Sequence, residues 1–137
     1  MRNLLGRQWR PIARIAAVAW LLVLAPAELA ATLARLISAP AGEPGFGPAT
    51  LIALRVLVTA GGLMLGRRLV SGATGMRPAA LAWAVADLGT LVLVLTSGRV
   101  PSNRAPGDAP IVWAVYAMAA LVVIAASSST APPGREP

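Results

Sequence analysis

Four runs of apolar residues divide the chain, at 12–37, 49–65, 79–96 and 109–126, and each is bounded by Pro, Gly, Ser or Arg. A helix crossing the hydrocarbon core of a bilayer needs roughly 20 predominantly apolar residues, within a range of about 17–25. Each run meets that length, and the stretches between them are too short for a soluble domain. The pattern predicts an all-α polytopic membrane protein, a bundle of four transmembrane helices joined by short loops. A basic amino tail is expected at 1–11, the transmembrane domain at 12–126, and a disordered tail at 127–137, where "SSSTAPPGREP" is polar and Pro-rich. The connections at 38–48 and 98–108 are rich in Gly and Pro and read as turns.

Composition agrees: 57% of residues are hydrophobic and 12% charged, against about 25% charged in soluble domains, and the mean hydropathy is +0.72. The net charge of +7 comes from twelve arginines, with no lysine. In a soluble chain this excess would point to nucleic acid. Here the arginines flank apolar runs, which is how a membrane protein encodes its orientation. Arg2, Arg7, Arg10, Arg14, Arg67, Arg68, Arg77 and Arg135 fall on one side, eight in all, against Arg35, Arg99 and Arg104 on the other. The bias predicts a multi-pass protein of the cell (inner) membrane with both termini cytoplasmic. The partners expected are the lipid bilayer and a membrane-protein partner or second copy, with no nucleic acid.

The opening "MRNLLGRQWRPIARIAAVAWLLVLAPA" admits two readings. Its basic start, apolar stretch and small residues at Ala25 and Ala27 match a cleavable secretory signal, which would leave three spans. Beyond Ala27, however, Leu29, Leu33, Leu36 and Ile37 continue at helical spacing, which favours a retained span kinked at Pro26. Trp9 and Trp113 fall near the ends of spans, where indole rings anchor at the interface, and Trp20 and Trp83 lie deeper, as packing residues.

The chemistry available is narrow. With no cysteine and no histidine, there is no disulfide, no thiolate or imidazole metal site and no Ser-His-Asp triad. No cofactor, metal or enzymatic activity is expected.

Three ionisable residues lie well inside the apolar runs: Glu28, Arg55 and Asp87. A charge at the centre of a membrane helix costs from about 2.5 to over 10 kcal/mol, so such groups face a partner or water. At about 1.5 Å per residue, Glu28 and Asp87 lie roughly 15 Å, and Arg55 roughly 10 Å, from the outer ends of their spans. All three therefore fit one layer. Glu28, Thr32 and Arg35 share a helical face, as do Arg55, Thr59, Gly62 and Gly66, and also Asp87 and Thr90. Gly62 and Gly66 form a G-x-x-x-G, which lets helix backbones approach closely in lipid. The fourth run carries no charge, and its Tyr116, Ala114 and Ala117 suit packing.

"AELAATLARLIS", residues 27–38, resembles the first helix of small multidrug resistance exporters, four-helix proteins that use a membrane-embedded Glu to exchange protons for cationic drugs. The resemblance implies that role for Glu28, with Thr32 in a similar place. It stops at those twelve residues. The third run lacks the family's Gly- and Trp-containing motif, the loop after Arg67 is longer, and the arginine bias fixes one orientation where those exporters pair antiparallel.

Two functions compete on this reading. The first is a structural or accessory role, in which Glu28, Arg55 and Asp87 hold the bundle together. The alternative is proton-coupled transport of a small molecule or cation, because two carboxylates facing one arginine leave a negative charge to carry a proton.

Overall fold

The computed structural model describes residues 2–38, 46–97 and 107–128. All the regular structure among them is helical: α1 (Arg2–Ala19), a π turn (Trp20–Leu24), α2 (Ala25–Ser38), α3 (Phe46–Val70), α4 (Arg77–Ser97) and α5 (Ala109–Ser127). Four stretches are long and apolar enough to cross a membrane, Trp9–Ala34, Ala49–Val70, Arg77–Ser97 and Ala109–Ser127. The protein is an all-α bundle of four such helices. Helix α1 takes in residues 2–11, expected as a tail, and runs through Pro11. The connections expected at 38–48 and 98–108 and the tail at 127–137 fall mostly outside the described residues, as does the Arg35 side chain.

The first span carries a π turn where Pro26 predicts a break. Proline has no N–H to give to the preceding turn, and its ring crowds the carbonyl four residues back. The helix widens over the turn just before it, and the Ala25 N–H bonds to the Trp20 carbonyl, five residues back, as a π turn requires. The segment past Ala27 continues as α2.

Neighbouring helices run antiparallel. Helix α1 packs on α5, α3 on α4, and α4 on α5, while the π turn seats on α3. The main apolar core gathers Ala17, Leu21, Leu65, Leu69, Trp83 and Val123, and Leu91, Val112 and Tyr116 form a smaller cluster. Many large side chains face outward, among them Ile15, Val85 and Leu121, as expected of surfaces that contact lipid.

The α3–α4 connection has its own logic. Gly72 adopts φ +84°, the left-handed conformation that favours glycine. Its N–H bonds to the Leu69 carbonyl at 3.3 Å, and the Ala73 N–H bonds to the Arg68 carbonyl at 3.0 Å. This is the Schellman pattern that satisfies the last carbonyls of a helix. Arg14 of α1 adds a second cap, donating from Nε to the Leu69 carbonyl at 3.0 Å and also from Nη2. An arginine counted in the sequence only as an orientation signal therefore ties the start of the first span to the end of the second.

Candidate functional site: a buried ion pair between helices

Arg55 enters from α3. Its Nη1 donates to Asp87 Oδ1 at 2.7 Å, to the Thr90 hydroxyl at 3.1 Å and to the Asp87 backbone carbonyl at 3.2 Å. Nη2 reaches the Tyr116 hydroxyl at 3.5 Å. The guanidinium carbon also lies 5.5 Å from the centre of the Tyr116 ring, within range of a cation–π attraction. The arginine side chain is 15% exposed and the aspartate 5%.

Each partner is set by its own helix. Thr90 lies three residues after Asp87, one turn further along α4, and its hydroxyl donates to the Asp87 carbonyl at 3.0 Å. Tyr116 stands on α5 and is held by the Trp20 ring, edge to face, with centroids 5.2 Å apart. The first span thus supports the site through an aromatic contact.

Of the three charges expected in one layer, Glu28, Arg55 and Asp87, the structure joins Arg55 to Asp87, with Thr90 beside them. Glu28 is half-buried on α2. It is not among the groups to which Arg55 donates. The Thr32 hydroxyl bonds back to the Glu28 carbonyl at 2.9 Å, a contact within the helix. Among the described residues two buried side-chain polar atoms lack a hydrogen-bond partner, Asp87 Oδ2 and Trp20 Nε1.

Gly62 and Gly66 sit where helices touch. A Cβ on Gly62 would fall 2.9 Å from Trp83 Nε1 and 3.3 Å from Leu21 Cδ2. One on Gly66 would lie 2.8 Å from Leu22 Cδ2 and 3.1 Å from Leu21 Cβ. The π turn and the α4 tryptophan therefore use the space that the missing side chains leave. Trp83 is fixed there, its Nε1 donating to the Val58 carbonyl at 3.2 Å.

Tyr116 is the participant that sequence reasoning missed, having given it a packing role. Depth would have found it: Tyr116 lies seven residues into α5 and Thr90 seven before the end of α4, both roughly 10 Å deep like Arg55. Ala114, expected to pack, is exposed, whereas Ala120 and Val123 fill the core. Among the described residues no group of His, Cys, Asp and Glu side chains could hold a metal ion.

No protein-family model matches the chain, and no curated protein or solved structure does either.

Proposed function

We propose that the chain is a small integral membrane protein with a structural or accessory role and no catalytic activity, acting through its packed surfaces on a membrane-protein partner or a second copy. One observation carries this reading: the Arg55 guanidinium is already taken up by Asp87, Thr90 and Tyr116, on two other helices. A group so engaged locks α3, α4 and α5 together and offers little to a substrate. The arginine bias supports a place in the cell membrane with both termini cytoplasmic.

A second reading, proton-coupled transport of a small molecule or cation, draws on Asp87 Oδ2, which is buried without a hydrogen bond, and on Glu28 as a second carboxyl within the spans. Reconstitution in liposomes separates the two. The structural role predicts proton and cation fluxes equal to those of protein-free vesicles. Flux above that level, lost in Asp87→Asn, would replace it with transport.

A further inference from the structure

Helices α3 and α4 leave a groove of about 490 Å³ on their outer face, lined by Leu57, Gly61, Met64, Arg68, Ala79 and Trp83 among others. Its volume falls within the range of roughly 300–1,000 Å³ that holds small ligands. Three features describe what would fill it. The floor is preformed, because Trp83 is buried and hydrogen-bonded to the α3 backbone. The walls are apolar and small at Gly61 and Ala79, so an extended chain fits alongside the indole. From Leu57 to Arg68 the groove runs roughly 16 Å at 1.5 Å per residue, close to half of a hydrocarbon core about 30 Å thick.

That length matches one leaflet. A helix from a second copy would continue across the bilayer, whereas an acyl chain ends at its midplane. The groove also ends in charge. Arg68 is exposed at its mouth, and Arg67 and Arg77 stand at the same end of the bundle. The described acidic residues lie elsewhere, Glu28 and Asp87 within spans and Asp108 at the opposite end. Arg68 has no carboxylate partner among the described residues. Basic pockets between transmembrane helices at the membrane surface bind anionic headgroups.

We propose that the α3/α4 groove is a binding site for one anionic phospholipid, with an acyl chain laid along Gly61 and Trp83 and the phosphate at Arg68. The lipid covers an apolar face and neutralises part of a basic end that the protein leaves unbalanced.

Native mass spectrometry of the full chain, released from detergent with added lipid, tests this. Phosphatidylglycerol should be retained in preference to phosphatidylcholine, and Arg68→Gln should reduce that preference about fivefold, the effect of one arginine near a membrane surface. Gly61→Leu should abolish retention of both lipids, because its side chain would occupy the groove, where a Cβ meets only Trp83 Cδ1 at 4.0 Å. Helix content by circular dichroism confirms that each variant is folded; if Gly61→Leu is not, the arginine variant decides. Equal retention of the two lipids, or a phosphatidylglycerol preference unchanged by Arg68→Gln, overturns the proposal. So does binding of glycerol phosphate as tight as that of the lipid, which would leave only an ion site. Conversion of a dimer to a monomer by Gly61→Leu, with lipid retention unaltered, would give the face to a second copy instead.

Discussion

Arg55 and Asp87 are separated by 31 intervening residues in the sequence and by 2.7 Å in the bundle. Each charge answers the cost of burying the other, and the two hydroxyls around the arginine supply further acceptors. Removing one member leaves a buried charge without compensation, which costs about 3–5 kcal/mol, whereas replacing both with apolar residues of similar volume is often neutral.

Accordingly, Arg55→Leu and Asp87→Leu should each lower folded yield in detergent sharply, and the double variant should be less harmful than the sum. The coupling should reach about 0.5–3 kcal/mol in favour of the pair. The same cycle between Arg55 and Glu28 should be close to additive, because the arginine does not donate to Glu28. Equal coupling in the two cycles would mean that the arginine is shared between both acids.

Tyr116 separates hydroxyl from ring. Its hydroxyl lies 3.5 Å from Arg55 Nη2, a long contact, so Tyr116→Phe should cost less than about 1 kcal/mol in thermal or denaturant unfolding. Tyr116→Leu removes the ring under the guanidinium and the edge contact with Trp20, and should cost about 1–3 kcal/mol. If the phenylalanine variant is as damaging as leucine, the hydroxyl matters more than the geometry implies.

Three neighbouring glycines should respond in opposite directions. Gly62→Ala and Gly66→Ala force a Cβ to within 2.9 and 2.8 Å of existing side-chain atoms, an overpacking that costs about 1–3 kcal/mol. At Gly61 the nearest atom is 4.0 Å away, so Gly61→Ala should be neutral or gain up to about 1 kcal/mol from helix propensity. Melting temperatures of the three variants in one detergent check the pattern.

Reporter fusions should place the amino terminus, the carboxyl terminus and the 67–77 segment in the cytoplasm, following the arginine bias. Replacing Arg67, Arg68 and Arg77 together with Gln should leave a mixed orientation. An external amino terminus in the unaltered chain would refute the assignment.

Spans were legible because length and apolarity alone decide whether a helix can cross a bilayer, and the ion pair was legible because a charge in lipid must find a partner. Depth was less informative than it looked for Glu28, since a shared level does not fix which side chain turns toward the arginine. Tyr116 was hidden by having no charge, although its polar tip and position in the span made it available. The Gly72 cap follows from a glycine after two arginines at a helix end, a local signal that membrane patterning obscures. Arg14 could not have been assigned without the structure, because nothing in the sequence links it to a carbonyl 55 residues away.

The π turn before Pro26 sets the register of everything that follows it in the first span. A turn of this kind holds one residue more than an α-helical turn, and one residue in an α-helix is worth roughly 100° of rotation. Shortening residues 20–24 by a single position would therefore swing α2 by more than a quarter of a circle about its axis, while α1 and its hold on Leu69 stayed in place. Glu28 would move off its present bearing with no change to its chemistry. The widened turn acts as a phase offset between two halves of one helix, so that the hold of Arg14 on Leu69 does not dictate where Glu28 points.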